Sequence, residues 1–169
     1  RLLDWEAVEA FRKNALNPEY PVQRSTVQNP DIFFQAREAA NPYYDKLPEI
    51  VERYMNRISE MTGRQYGLFN YYGDPEATDV VVAMGSASGA LKEIVRHLNV
   101  RGAKTGFLQV HLFRPFSMKQ FLAGLPGTVE RITVIDRTKE PGAAGGPLYE
   151  DGCTAVIESG LRAKIHAGR

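Results

Sequence analysis

The sequence predicts an α/β fold: a Rossmann-like, mostly parallel sheet with helices on both faces, preceded by a helical and extended arm. After about residue 78, short apolar runs alternate with helical periods, and the connections between them are only a few residues long. Strands separated by helices of this length imply right-handed crossovers and therefore parallel neighbours. Before residue 62 the pattern differs, because helical stripes alternate with proline-rich extended stretches.

The composition is that of a globular protein with enough apolar material for a core. Of 169 residues, 43% are hydrophobic and 24% are charged, and the formal net charge is +1. A nucleic-acid-binding domain usually carries a basic excess, so this balance argues against one. The apolar runs are too short to cross a membrane, and we expect a cytoplasmic location. An arginine stands at each end, which suggests a piece of a longer protein.

The arm, residues 1–62, is predicted to contain three helices. Asp4 is a plausible N-cap for the first, which should end near Asn14. Helices at about 30–40 and 42–62 each follow the Asn-Pro pair that favours a helix start. The longest helix repeats apolar residues at steps of three and four, as in a helix with one buried face: Leu47, Ile50, Val51, Tyr54, Met55, Ile58 and Met61.

The second part, residues 63–169, is predicted to hold three strands, Asp79–Met84, Thr105–Leu112 and Arg131–Asp136. The first is a continuous apolar run rich in valine, which is typical of a strand covered on both faces. Residues 63–77 show no usable period and are predicted to connect the two parts.

A helix is predicted after each strand. The first helix follows a Gly-Ser-Ala-Ser turn and has Ser86 or Ser88 as its N-cap. The second is capped by Ser117, and the third begins at Pro147 and runs to about Ile165. This alternation of strands and helices is the basis for the predicted α/β fold.

The turn from Gly85 to Gly89 is the first candidate binding site. Glycines at the end of a strand let the backbone approach a ligand, and the next helix offers free N–H groups to a phosphate. Gly85, Ser86 and Ser88 are therefore candidate phosphate-binding residues. The spacing matches neither G-x-G-x-x-G nor a Walker loop, so a plain turn between strand and helix is the favoured interpretation.

The loop 136–142 is the second candidate, because open α/β sheets bind ligands at the carboxyl ends of their strands. Asp136 and Arg137 could form either a catalytic pair or a salt bridge that anchors the loop. The structural interpretation is favoured. Lys139 and Glu140 are assigned to the same structural loop.

No other pattern in the sequence indicates chemistry. The histidines lack metal-ligand spacing, and the last of them, His166, is expected in a frayed C-terminus. The only cysteine, Cys153, excludes a disulfide or a cluster of thiolates within the chain and is expected to be an inert core thiol. The aromatic cluster Tyr66–Tyr72 either stacks on a base or ring or packs against the protein surface, and packing is the commoner use.

Four stretches carry a resemblance to a known family. They are Gln28–Asp45 (QNPDIFFQAREAANPYYD), Asp79–Val95 (DVVVAMGSASGALKEIV), Leu112–Phe116 (LFRPF) and Val134–Tyr149 (VIDRTKEPGAAGGPLY). In this order they resemble the pyruvate:ferredoxin (flavodoxin) oxidoreductase family, and DRTKEPGAAG after a strand is the most specific of them. Many relatives are expected to have a glycine where Ser25 stands.

The resemblance implies a thiamine diphosphate and Mg²⁺ enzyme that oxidatively decarboxylates pyruvate. Coenzyme A takes the acetyl group, and 4Fe–4S clusters pass electrons to ferredoxin or flavodoxin. Residues 1–62 would be the tail of the first, pyrimidine-binding domain. Residues 63–169 would be a chiefly structural second domain, similar to the C-terminal domain of transketolase. The Gly-Asp-Gly diphosphate motif and the cluster cysteines are absent, so no catalytic or cofactor-binding residue is carried over to this chain.

We therefore expect a structural, non-catalytic section of an oxidoreductase that acts on a 2-oxoacid with an iron–sulfur protein as acceptor. Alone it should be inactive and hold no cofactor. Its expected partners are the other domains of a homodimeric parent, without nucleic acid or membrane. Two alternatives stay open: a module that binds coenzyme A or a nucleotide phosphate through the 85–89 turn and the 136–142 loop, and a protein-interaction domain.

Overall fold

The computed structural model describes residues 2–22 and 27–168, so the expectation about Ser25 lies outside the described residues. Contacts between residues divide the chain into two units, Arg1–Tyr44 and Asp45–Arg169. No helix in the described part of the chain is both long and apolar enough to span a membrane.

The first unit contains helices α1 (Trp5–Arg12) and α2 (Pro30–Glu38). Asp4 caps α1 as predicted, since its carboxylate accepts a hydrogen bond from the Ala7 amide at 3.1 Å. Pro30 occupies the first turn of α2, where its missing N–H costs nothing. Neither helix buries a side chain. Helix α3 (Asn41–Thr62) follows and likewise buries none of its residues.

The second unit is built on a five-stranded sheet. Its strands are β1 (Phe69–Gly73), β2 (Asp79–Met84), β3 (Thr105–Val110), β4 (Arg131–Ile135) and β5 (Lys164–Gly168), in the spatial order β1-β3-β2-β4-β5. Strands β2 to β5 are parallel, and only the edge strand β1 is antiparallel. The predicted mostly parallel α/β sheet is confirmed.

Helices cover both faces of this sheet. Helix α4 (Ser88–Val100) packs on β1 and β3, where Ala83, Val95 and Phe107 form a small buried cluster. Helices α5 (Met118–Ala123) and α6 (Pro147–Ser159) pack together on the opposite face. That face holds the main core, which includes the fully buried Phe121 and Leu108. Because side chains alternate along a strand, the valine run of β2 supplies both clusters.

Two of the strands were not predicted from the sequence. The expectation that the last helix runs to Ile165 is wrong, because Gly160 takes a left-handed conformation (φ 69°) and ends α6 at Ser159. The chain then forms β5 beside β4, so His166 lies in a strand and not in a frayed terminus. Strand β1 lies within residues 63–77, which had been predicted only as a connection.

The predicted serine caps are also wrong in part. Gly85–Ala87 forms a short 3₁₀ turn, and the N-cap position of α4 is Ala87, which makes no side-chain cap. The Ser88 hydroxyl instead donates to the Gly85 carbonyl at 2.8 Å. Ser117 does occupy the N-cap position of α5, but its hydroxyl contacts Gln120 and caps no backbone amide.

A close contact at Gly106 gives a test of the fold. A Cβ atom on Gly106 would lie 2.1 Å from the Tyr71 hydroxyl, which donates to the Asp74 carbonyl at 2.5 Å. We expect Gly106→Ala to lower the free energy of unfolding by about 1–3 kcal/mol, because the tyrosine must move. Urea unfolding measures the change. The control is Gly127→Ala, where a Cβ meets open space, and equal losses in both variants would contradict the packing described.

Candidate functional site

The two candidate loops meet at one point of the sheet. The chain passes from β2 to β3 on one side and then to β4 on the other side of β2, so the strand order reverses between β2 and β4. Ala83 and Ile135 are paired near the carboxyl ends of these two strands. The turn after β2 and the loop after β4 therefore flank the topological switch point, where open α/β sheets bind ligands.

A hydrogen bond joins the two loops across this point. The Arg137 guanidinium Nη1 donates to the Ser86 hydroxyl oxygen at 2.7 Å. Gly85 makes the turn possible, because its φ of 74° is unfavourable for residues with a side chain. No sequence pattern indicates this pairing, since Ser86 and Arg137 are far apart in the chain and both are common surface residues.

Asp136 is buried and caps the N-terminus of the next helix, α6. It is 7% exposed, and its carboxylate accepts hydrogen bonds from the backbone amides of Leu148 at 3.3 Å and Tyr149 at 3.0 Å. These amides belong to the first turn of α6, where free N–H groups and the helix dipole favour an anion. The protein's own carboxylate thus occupies the place that a bound phosphate would take at α6.

Gly146 makes this arrangement possible. A Cβ atom there would lie 2.3 Å from the Asp136 carboxylate oxygen, so any larger residue would push the carboxylate off the helix terminus. The Gly-Gly-Pro sequence before α6 is the feature that could have indicated the close approach.

In the described residues, Asp136 and Arg137 therefore form neither a catalytic pair nor a salt bridge with each other. Each has a different partner, with Asp136 turned inward to α6 and Arg137 turned to Ser86. Lys139 and Glu140 are exposed, and within the described residues neither takes part in a salt bridge. The arrangement holds two loops and a helix together, and it presents no nucleophile beside a base.

The remaining candidates are scattered. His97 lies on α4, and the His111 Nδ1 atom is 2.9 Å from the Gly67 carbonyl oxygen. Cys153 is partly buried on α6. In residues 2–22 and 27–168, no three histidine, cysteine or acidic side chains come together in a way that could hold a metal ion.

Comparison with known proteins identifies the family. A family model described as pyruvate:ferredoxin oxidoreductase core domain II matches residues 77–166, which is more than half of the chain. The chain belongs to the pyruvate:ferredoxin oxidoreductase family. The resemblance carried by the four sequence stretches is confirmed.

Curated relatives in the pyruvate:ferredoxin oxidoreductase family are similar over the whole chain. Pyruvate:ferredoxin oxidoreductase of Moorella thermoacetica is 53% identical over 169 residues, which are 100% of this chain and 14% of the relative. Pyruvate-flavodoxin oxidoreductase of Enterobacter agglomerans is 54% identical over 168 residues, 99% of this chain and 14% of the relative. The chain therefore spans about 14% of the length of these relatives.

One solved structure shows a weaker likeness. It is a 2-oxoglutarate:ferredoxin oxidoreductase from Magnetococcus marinus with 2-oxoglutarate, coenzyme A and succinyl-CoA bound. The matched region is 60% of this chain and 16% of the chain in that structure, with a TM-score of 0.43 and 15% sequence identity. A likeness at this level carries no argument about function.

The buried carboxylate gives a test of the site. Asp136→Ala leaves the first-turn amides of α6 without an acceptor, and we expect a loss of about 1–3 kcal/mol in the free energy of unfolding. Asp136→Asn keeps one oxygen acceptor and should lose less. Chemical denaturation of both variants measures the difference. Glu140→Ala, in the exposed part of the same loop, is the control, and a loss there as large as in Asp136→Ala would refute the capping role.

Proposed function

We propose that this chain is a structural, non-catalytic section of a thiamine diphosphate-dependent pyruvate:ferredoxin or pyruvate:flavodoxin oxidoreductase. The parent would convert pyruvate and coenzyme A to acetyl-CoA and carbon dioxide, with electrons passing to ferredoxin or flavodoxin. Family membership and the names of the relatives support this activity for the parent. The chain spans about 14% of the length of the relatives, which supports a role as one section of the parent among several.

One observation carries the non-catalytic assignment. The switch point, the position where this fold class binds ligands, is held by the chain's own side chains. Asp136 occupies the N-terminus of α6, and Arg137 is bonded to Ser86 across the opening. A phosphate clamp for coenzyme A or a nucleotide at the 85–89 turn and 136–142 loop would have to break both arrangements, so this alternative is less favoured.

The residues at the switch point do not fit the cofactors of the parent. Magnesium bound to a diphosphate needs free carboxylate or amide oxygens, and both oxygens of Asp136, the carboxylate at this position, accept bonds from α6. A 4Fe–4S cluster needs several thiolates, and the chain has one cysteine. In our proposal, thiamine diphosphate, Mg²⁺ and the clusters are therefore held by other domains of the parent.

The exposed arm supports a role in bracing those domains. Large apolar side chains in residues 1–62 face outward, among them Phe11 at 77%, Leu16 at 80% and Phe34 at 69% exposure. Exposed apolar surface of this kind marks an interaction site. In the proposed assignment, residues 1–62 are the tail of the preceding domain and residues 63–169 are the second domain. The parent is a homodimer in the cytoplasm.

Steady-state kinetics of the parent enzyme distinguish a structural loop from a ligand clamp. We expect Arg137→Ala in the parent to leave kcat and the KM values for pyruvate and coenzyme A within about twofold, because in our proposal its guanidinium only joins the two loops. The same variant should unfold at a lower temperature, since the bond to Ser86 is lost. Lys139→Ala is the control for the loop. A KM for coenzyme A that rises tenfold or more would favour the clamp instead.

Hydrogen exchange tests the bracing role of the arm. We expect the amides of α1 and α2 to exchange at least about tenfold more slowly in the full parent than in the 169-residue chain, because the parent supplies the surface that covers them. Amides of β2, at the centre of the sheet, should change little and serve as the internal reference. Equal exchange of α1 and α2 in both proteins would count against the proposal.

A further inference from the structure

One half of one sheet face is open in the described part of the chain. Side chains of β4 alternate between the two faces. Ile132 and Val134 point into the main core and are fully buried, whereas Arg131, Thr133 and Ile135 on the opposite face are all partly or largely exposed. That opposite face carries α4, but α4 packs on β1 and β3. Parallel strands are normally covered on both faces, so the face of β4 and β5 on this side is unusual.

The connections of the chain explain the open half. Helix α4 joins β2 to β3 in one direction across the sheet, whereas α5 and α6 join β3 to β4 and β4 to β5 in the other direction. Right-handed crossovers that run in opposite directions lie on opposite faces. Helices α5 and α6 therefore both cover the main core. A helix about 10 Å wide covers about two strands spaced about 4.8 Å apart, so α4 does not reach β4 and β5.

The flank of α4 that faces the open half is apolar. The Lys92 ammonium lies 3.9 Å from the centre of the Tyr72 ring on β1, so the flank with Lys92 points toward β1. Successive residues of a helix are about 100° apart, which places Leu91, Ile94 and Leu98 on the other flank, toward β2 and β4. Ile94 is 52% exposed and Leu98 is 38% exposed. Two large apolar side chains therefore border the open half.

This flank and the neighbouring sheet face form one apolar groove, which we call the open groove. Its wall is the α4 flank, and its floor consists of Val81, Thr133 and Ile135. Wall and floor meet, because Leu91, Val81 and Ile135 pack against the same buried cluster. Continuous apolar surface of this kind marks an interaction site.

The far rim of the open groove is basic. Lys164 and His166 of β5 lie on the same face as Arg131, since Lys164 is paired with Arg131 in the sheet. Asp79 neutralises Arg131 through two hydrogen bonds. Within the described residues Lys164 forms no salt bridge. A partner that covered its ammonium without a carboxylate would leave a charge unpaired at the interface.

The shape and charge of the open groove select an α-helix as its occupant. A segment buried on a sheet face must pair its own backbone N–H and C=O groups, which a helix does internally and a loop does not. A helix is also wide enough to cover two strands, and it packs beside another helix at an axial separation of about 8–10 Å. The basic rim adds an acidic side chain to these requirements.

We propose that the open groove is the docking site of one amphipathic helix supplied by another part of the parent. The apolar stripe of this helix packs on the wall and floor, and an acidic side chain beside the stripe pairs with Lys164. The chain spans 14% of its relatives, so most of the parent lies outside these residues. The inference rests on the proposed function, because it takes the bracing to occur between sections of one parent.

Carbene footprinting with a photoactivated diazirine reagent tests the docking. We expect Ile94 and Leu98 to be labelled at least about fivefold less in the parent than in the 169-residue chain, because a docked helix covers them. His97 is exposed on α4 outside this flank, and its labelling should change less than about twofold, since it stays in solvent. Equal labelling of Ile94 in both proteins, or equal protection of His97, would overturn the proposal. Protection of Ile94 that grows with the concentration of the chain alone would place a second copy in the groove and would also overturn it.

Zero-length cross-linking in the parent identifies the helix. A carbodiimide joins an amine to a carboxylate in direct contact. We expect Lys164 to be joined to an aspartate or glutamate in a segment that repeats apolar residues at steps of three and four. Lys164→Arg keeps the charge but lacks the amine, so this product should disappear. Lys119, on α5 at the opposite face of the sheet, is the control and should not be joined to that segment. No product from Lys164, or a product with a segment that lacks the repeat, would refute the docked helix.

Turnover of pyruvate by the same sample separates this inference from the proposed function. An active parent with an unprotected open groove overturns the docking alone. A parent with a protected groove that does not act on pyruvate overturns the proposed activity alone.

Discussion

The burial of one carboxylate organises the second unit. A charged group leaves water only where donors replace its hydration. Asp136 finds these donors in the first turn of α6, and this fixes the end of β4 relative to the start of the helix. Gly146 must lack a Cβ for the carboxylate to reach the amides. The loop between Asp136 and Gly146 is therefore fixed at both ends. Arg137, the next residue, donates a hydrogen bond to Ser86 in the neighbouring turn.

This arrangement decides where the sheet can bind a ligand. Parallel strands bring their carboxyl ends to one edge, and the reversal of strand order would leave a crevice between β2 and β4. Here that crevice is bridged by the chain itself. The antiparallel β1 extends the same edge by one strand beyond β3. It also places Asn70 directly opposite Gln109 of β3.

The sequence predicted the elements whose signal is local. The bounds of β2 were predicted because a strand covered on both faces is apolar without interruption, and α1 because Asp4 is a recognisable cap. Strand β5 was missed because Lys164–Gly168 follows a helix closely and is short and half polar, so only its pairing with β4 makes it a strand. The partners of Asp136 were missed for the same reason, since backbone amides twelve and thirteen residues away carry no sequence signal.

The contrast between the second unit and helices α1 and α2 of the first shows what these two helices require. Ordering a residue costs about 1–2 kcal/mol of backbone entropy, which burial of apolar side chains must offset. The second unit buries Phe107, Phe121 and Leu108 completely, whereas helices α1 and α2 bury no side chain. The outward-facing Phe11 and Phe34 carry apolar area that could offset that cost if a surface covered them. Under the proposed function the other domains of the parent would supply that surface, and α1 and α2 would gain stability there.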